Sequence, residues 1–187
     1  MEAKGHVTSP RLSALKAHCE KHLKSPVKVL HFGKGPIDKM PEGFCVLEFE
    51  PSEKRNVWVY ATCGMSCGDA IPIEIFMFSP RQASEHLELL YAIAHSHVTA
   101  EALDFSHTVN FGRPWLPESK CEYGLLSAIG SDIDTLEIDA DEVQFLWLIP
   151  ITEAEREYKK KHGFEALEEK FARADMACED PQRKSVV

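Results

Sequence analysis

The chain has 187 residues, of which 44% are hydrophobic, and it carries a formal net charge of −9 at pH 7. This length supports one well-buried core and is short for two, so we predict a single domain over residues 1–187. No stretch approaches the roughly 20 apolar residues of a membrane helix, and the N-terminus lacks the apolar stretch of a secretory signal. We therefore expect a cytoplasmic protein that does not cross a membrane.

The negative charge is concentrated in one quarter of the chain. Residues 101–150 hold ten acids against Arg113 and Lys120, so this segment alone carries −8. Nucleic acids and anionic membranes are bound through lysine and arginine, and an acidic field repels them. The distribution disfavours nucleic-acid and membrane partners and favours a basic protein.

The first half of the chain predicts one helix followed by four strands. Ser9 as N-cap and Pro10 in the first turn open a helix that Ser25-Pro26 ends, so residues 1–25 form an N-terminal helical region. Turns containing Gly and Pro separate the strands, and their close spacing favours antiparallel pairing. The four strands are Val27–Phe32, Phe44–Glu50, Val57–Cys63 and Ile73–Phe78.

A second helix and a long loop follow. Ser79-Pro80 is predicted to open the helix, in which apolar residues repeat every three or four positions, and the helix should stop near His97-Val98. Residues 99–119 have little periodicity and indicate an extended loop with a short strand at Thr108–Phe111. Long ordered loops in compact domains are often functional.

The last third predicts three strands, two helices and a polar tail. The strands are Tyr123–Ile129, Thr135–Ile138 and Val143–Ile151, with residues 139–142 as the turn of a hairpin. Because residues 145–149 are apolar in succession, the last strand should be covered on both faces and lie centrally. Thr152 and Glu155 form a capping-box pattern for a helix that Gly163 ends. A final helix begins near Phe164, and residues 176–187 form the tail. Together these elements predict an α+β fold with a mostly antiparallel, mixed sheet and flanking helices.

Three motifs resemble the Suppressor of fused (SUFU) domain family. They are His107-Thr108-Val109-Asn110-Phe111-Gly112-Arg113-Pro114-Trp115, Cys121-Glu122-Tyr123-Gly124-Leu125 and Phe145-Leu146-Trp147-Leu148-Ile149-Pro150-Ile151-Thr152. Residues 57–66, 87–91 and 180–187 are also similar, so the likeness covers most of residues 40–187. The resemblance implies a SUFU-like α+β domain.

The resemblance also implies a function in binding rather than catalysis. Bacterial members of the family look like immunity proteins or antitoxins, and eukaryotic members sequester a transcription factor. The eukaryotic relatives are two-lobed and clamp a partner peptide as an added strand, whereas this chain resembles only the first lobe. By likeness to the bacterial members, the partner would be a toxin such as a nuclease, bound stoichiometrically. An adaptor or sequestering protein for another partner is the alternative within binding functions.

Two regions supply candidate partner-binding residues. The acidic segment between Glu118 and Glu142 could steer a basic partner, or it could be a solvated face that confers solubility alone. Arg113 and Trp115 are residue types common at interface hot spots; alternatively, Trp115 anchors the loop and Arg113 pairs with a neighbouring acid. The predicted partner-binding residues are Asp132, Asp134, Glu137, Asp139, Asp141, Glu142, Arg113 and Trp115.

Catalytic and metal sites are the competing interpretation. Cys63 and Cys67 could bind zinc with nearby histidines, but a single CxxxC is a weak signal and structural thiols are favoured. Cys121 and His107 are the residue types of a cysteine hydrolase, but no nucleophile motif surrounds Cys121. We predict no catalytic residue, no metal and no cofactor. A metal- or cysteine-dependent hydrolase remains the alternative from a different functional class.

Overall fold

Helices cover both faces of one mixed β-sheet. The structure, a computed structural model, describes residues 9–35, 37–128 and 133–187. The helices are α1 (Pro10–Leu23), α2 (Glu85–Thr99), α3 (Glu153–His162) and α4 (Phe164–Ala174). The strands are β1 (Val27–Leu30), β2 (Cys45–Phe49), β3 (Trp58–Cys63), β4 (Ile73–Ser79), β5 (Thr108–Asn110), β6 (Tyr123–Ser127), β7 (Leu136–Ile138) and β8 (Asp141–Ile151). The predicted α+β class is confirmed.

The strand order is β1-β2-β3-β4-β8-β6-β5, and β7 pairs with the start of β8. Strands β1 to β4 are antiparallel neighbours, as their close spacing predicts. Among the described strands, only β4 and β8 run parallel, because α2, β5, β6 and β7 intervene between them in the chain. β8 lies between β4 and β6, which confirms its predicted central position.

Alternating side chains divide the core between the two faces of the sheet. Cys45, Leu47 and Phe49 of β2 pack with α1, whereas Val46 packs in the cluster that contains α2. Farther along the sheet, α4 covers the face on which α1 lies, through contacts with Leu125 and other apolar residues of β6 and β8. One face is therefore covered by α1 and α4, and the other by α2 and the loop that follows it.

Local signals define α1 and α3. The Ser9 hydroxyl accepts a hydrogen bond from the Leu12 amide at 3.2 Å, and Lys24 ends α1 in the left-handed conformation with φ of 49°. At α3 both hydrogen bonds of the Thr152–Glu155 capping box are present, as predicted. No helix in the described ranges has the length and apolar character needed to cross a membrane.

Two predicted boundaries are wrong. Helix α2 begins at Glu85 and not at Ser79-Pro80, because Ser79 pairs with Trp58 as the last residue of β4 and its hydroxyl donates to the Arg81 carbonyl at 2.7 Å. The hairpin turn has two residues and not four: Asp139 and Ala140 adopt φ of 52° and 70°, as in a tight turn of the primed type. β8 therefore begins at Asp141.

Candidate partner-binding surface

The acidic hairpin, residues 133–143, holds most of the predicted partner-binding acids at the surface. All five of its acidic side chains that the structure describes are exposed, and they are Asp134, Glu137, Asp139, Asp141 and Glu142. Asp132 lies outside the described residues. Because β7 and β8 are joined by a tight turn, the carboxylates lie near one another, with Glu137 and Glu142 as cross-strand neighbours on one face of the hairpin and Asp141 on the other.

Apolar contacts hold this hairpin against α1. Ile133 and Val143 are 2% and 0% exposed and pack in the cluster that includes Leu12 and Leu15. The His18 ring of α1 lies 5.2 Å from the Phe145 ring, and its Nε2 atom is 2.7 Å from the Asp134 carbonyl. The acids are therefore presented from a backbone that the core fixes.

Arg11 partly neutralises the acidic hairpin. Its Nη1 atom lies 2.9 Å from Asp141 and 3.6 Å from Asp139, and its Nη2 atom donates to the Ser66 carbonyl at 3.2 Å. No other ion pair among the described residues involves an acid of this hairpin. Asp134, Glu137 and Glu142 are therefore exposed to solvent without an ion-pair partner among the described residues.

Trp115 does not lie on the surface. Its side chain is 1% exposed, its ring stacks on that of His86 at 5.5 Å between centroids, and its Nε1 atom donates to the Ser119 hydroxyl at 2.8 Å. An enclosed ring has no face to offer a partner, so the structure corrects the prediction that this side chain is a contact. The alternative, in which Trp115 anchors the loop, describes its geometry.

Arg113 lies at the surface but is bound to α2. Its Nη2 atom is 3.3 Å from a carboxylate oxygen of Glu88 and 3.3 Å from the Glu85 carbonyl. This is the pairing with a neighbouring acid that the sequence left open. Arg113 lies away from the acidic hairpin in this arrangement, because it contacts α2 whereas the hairpin contacts α1.

His86 supports the Trp115 anchor from inside the core. It is 0% exposed, its Nε2 atom lies 2.9 Å from the Ser79 hydroxyl, and its ring packs edge-on against Tyr60. Burial lowers the pKa of His86 to about 4. The neutral imidazole is therefore the form that this part of the fold accommodates.

The residues of the hydrolase alternative are not arranged as a nucleophile and a base. Cys121 is 1% exposed, burial raises the pKa of its thiol, and its amide donates to the Ser119 hydroxyl at 3.0 Å. No hydrogen bond between described residues joins Cys121 to His107. The thiol is thus enclosed beside Trp115 and protonated at neutral pH.

The residues of the zinc alternative are occupied by other contacts. The Cys63 thiol faces Cys45 across the strand pair, and the hydrogen bond between them, together with burial, raises the pKa of Cys63. His97 contacts the Ile71 carbonyl through Nε2 and accepts from the Leu103 amide through Nδ1. Within the described ranges, no group of three or more His, Cys, Asp or Glu residues is placed to hold a metal ion.

A buried ion pair in the C-terminal tail was missed from the sequence. Both guanidinium Nη atoms of Arg183 lie 2.7 Å from the two carboxylate oxygens of Glu155, and Arg183 also donates to the Pro150 carbonyl at 2.7 Å. Burial acts to raise the pKa of Glu155, but the hydrogen bonds and charge of Arg183 hold it below its usual value. The capping box revealed Glu155, whereas the family likeness of residues 180–187 marked the tail without indicating that Arg183 is buried.

Comparisons with known proteins agree with this architecture. The family described as Suppressor of fused protein (SUFU) matches residues 40–184. A SUFU homologue from Neisseria gonorrhoeae is similar with a TM-score of 0.84 and 29% identity, covering 96% of this chain and 98% of that one. No curated protein matches the chain significantly.

Two more distant structures share the fold. The Sufu–Fu complex has a TM-score of 0.71 at 15% identity, over 95% of this chain and 92% of that one. Drosophila Suppressor of fused has a TM-score of 0.66 at 15% identity, with 95% of this chain covering 51% of that one. The family match spans most of the sequence, and the chain belongs to the Suppressor of fused family.

Proposed function

We propose that this protein is a non-enzymatic, cytoplasmic immunity protein that neutralises a basic toxin by binding it stoichiometrically. The observation that carries the proposal is the acidic hairpin, where five described carboxylates are exposed and three of them lack an ion pair. Family membership supports protein binding as the class of activity, since one of the similar structures is that of the Sufu–Fu complex.

The proposed mechanism is electrostatic occupation of a basic cleft. A nuclease or similar enzyme lines its phosphate-binding cleft with lysine and arginine, and exposed carboxylates on a rigid hairpin would take the position of phosphate groups. Because the core fixes the hairpin through Ile133 and Val143, little ordering of the backbone is needed on binding. Complementary charge also speeds the encounter of the two proteins at low salt.

The test is a pull-down of the tagged protein from its native cells, with mass spectrometry of the retained proteins. The binding variant carries Asp134→Asn, Glu137→Gln and Glu142→Gln, so that the Arg11 ion pairs stay intact. The control variant removes the same number of exposed acids elsewhere, through Glu50→Gln, Glu53→Gln and Glu101→Gln.

The proposal predicts that the unmodified protein and the control variant retain the same basic, toxin-like protein. The binding variant should retain at least about tenfold less of it, which corresponds to about 1.4 kcal/mol of binding free energy. Equal retention by both variants would contradict the acidic hairpin as the site. Retention of an acidic or neutral partner would contradict the toxin.

A further inference from the structure

The strand β1 forms an open edge of the sheet. It pairs with β2 and stands at the end of the strand order, so its outward-facing amides and carbonyls have no neighbouring strand among the residues that the structure describes. Leu30, and Phe32 just beyond the strand, pack on the α2 side of the sheet, whereas Val29 on the other side is 40% exposed. An extended chain can align with this edge.

An aromatic groove begins where β1 ends. It has a volume of about 270 Å³ and lies between α2 and the residues Phe32, Lys34, Gly35 and Met40. The centroids of the Phe32 and Tyr91 rings are 5.5 Å apart. The Tyr91 hydroxyl donates a hydrogen bond to the Phe44 carbonyl at 3.1 Å. The residues that line the groove include Phe32, Lys34, Met40, Tyr91, Ala92 and His95.

One residue that lines this groove has a polar atom with no hydrogen-bond partner among the described residues. The Nε2 atom of His95 is enclosed and makes no hydrogen bond with any residue that the structure describes. Enclosed polar atoms in native proteins are normally satisfied. A residue that lines the groove therefore holds an unsatisfied nitrogen beneath the groove surface.

The chain segment that contains β1 is basic, although the whole protein is acidic. Residues 21–34 contain four lysines and no acid, although the chain carries −9 overall. Lys28 and Lys34 are exposed, and no ion pair within the described ranges involves either of them. Glu88, an acid that lines the groove, is paired with Arg113.

We propose that the β1 edge and its groove bind an acidic, extended segment of a partner protein, which carries one aromatic side chain into the groove. Side chains alternate along an added strand. A segment aligned with β1 thus presents every second residue to the α2 side, where Lys28, the groove and Lys34 follow one another. The preferred pattern on that side is acid, aromatic, acid. This surface involves none of the acidic hairpin, and it requires a partner of the opposite charge.

The probe is a fluorescein-labelled peptide with blocked ends and the core sequence Glu-Thr-Phe-Thr-Glu, which reads the same in either strand direction. Fluorescence anisotropy measures its binding to the full chain. Two comparison peptides replace both Glu residues with Lys or replace Phe with Ser. The proposal predicts that each comparison peptide binds at least about tenfold more weakly.

Variants of the protein test the two halves of the site separately. Ala92→Trp fills the groove from an exposed helix position, and the control Ala172→Trp adds the same ring on exposed α4. Lys28→Glu with Lys34→Glu reverses the edge charge, and Lys54→Glu with Lys161→Glu is the matched control. Only the groove and edge variants should weaken binding of the acidic peptide, by at least about tenfold.

Three results would overturn the proposal. The first is equal binding of the acidic and basic peptides, and the second is a groove variant that binds like its control. The third is a dimer in sedimentation velocity that Ala92→Trp dissociates, because the edge would then join two copies of this chain. Circular dichroism of every variant shows whether a loss of binding reflects a loss of fold.

Discussion

Two ion pairs of nearly equal length differ in what surrounds them. Arg183 lies 2.7 Å from Glu155, with side chains that are 5% and 0% exposed. Arg11 lies 2.9 Å from Asp141, with side chains that are 15% and 49% exposed. Distance alone does not separate the two pairs, whereas burial does. Removing one partner of a buried pair leaves an uncompensated charge, while an exposed carboxylate is still hydrated.

The comparison shows how a strongly acidic chain divides its charges. Glu155 accepts from the Thr152 and Val186 amides as well as from Arg183, so it connects the start of α3 to the tail. The carboxylates of the acidic hairpin are exposed and do not join two buried elements of the fold as Glu155 does. Charges of the first kind stabilise the architecture, and charges of the second kind are available to a partner.

The largest expected effect comes from breaking the buried pair. Arg183→Met should lower the free energy of unfolding by roughly 3–5 kcal/mol, because Glu155 would be left buried without its cation. The measurement is urea denaturation at pH 7. Arg173→Met is the matched control, since Arg173 pairs with Glu169 at 2.9 Å on an exposed surface, and it should change stability by less than about 0.5 kcal/mol.

A double variant checks the reason for this loss. Adding Glu155→Gln to Arg183→Met removes the stranded charge, so the double variant should be more stable than Arg183→Met alone. If the double variant is less stable than Arg183→Met, the destabilisation came from lost packing of the arginine and not from the carboxylate.

A smaller loss of stability is expected at low pH, because His86 is buried without an ionic partner. The pKa of His86 falls from about 6.5 in the unfolded chain to about 4 in the fold, so the unfolded state binds more protons between these values. Stability is fully present above pH 6.5 and is lost as the pH falls toward 4, by up to about 3 kcal/mol. Burial lowers the pKa of His97 as well, which adds to the loss in the same direction.

His86→Phe isolates the contribution of His86. Phenylalanine keeps a ring between Trp115 and Tyr60 but cannot take up a proton. Urea midpoints measured from pH 7 to pH 5 should fall less steeply for this variant than for the unmodified protein. Parallel slopes would show that His86 is not protonated differently in the two states.

The sequence predicts elements whose signals are local. The capping box at Thr152 and Glu155 and the apolar run at residues 145–149 each need only a few neighbours, and both predictions are confirmed. The parallel pairing of β4 with β8 joins Ile73 to Gln144. Such long-range register is selected by the packed core and leaves no mark in either strand alone.

The candidate site is predictable only in part for the same reason. The acids can be counted from the sequence, but their pairing with Arg11 joins residues that are 128 or more positions apart. Tryptophan is a residue type common both at interface hot spots and in protein cores. Only the burial of Trp115 in the folded structure distinguishes these two roles. The burial of Arg183 is not predictable from its local sequence, because a polar tail with one arginine is typical of exposed chain ends, and the family likeness of residues 180–187 does not say which side chain is buried.

The smallest stability effect is expected on the exposed side of the comparison. Arg11→Met removes two ion pairs with exposed carboxylates, which contribute little. It also removes an enclosed Nε donor that has no hydrogen-bond partner among the described residues, and methionine keeps part of the apolar stem. We expect a change of less than about 1 kcal/mol in the free energy of unfolding, measured by urea denaturation beside Arg183→Met.

The Arg11→Met substitution also frees Asp139 and Asp141 from their ion pairs. Retention of a basic partner should therefore rise at low salt and converge with that of the unmodified protein at high salt. A loss of stability as large as that of Arg183→Met would mean that the acidic hairpin depends on Arg11 for its structure, and the division between architectural and partner-binding charges would then fail.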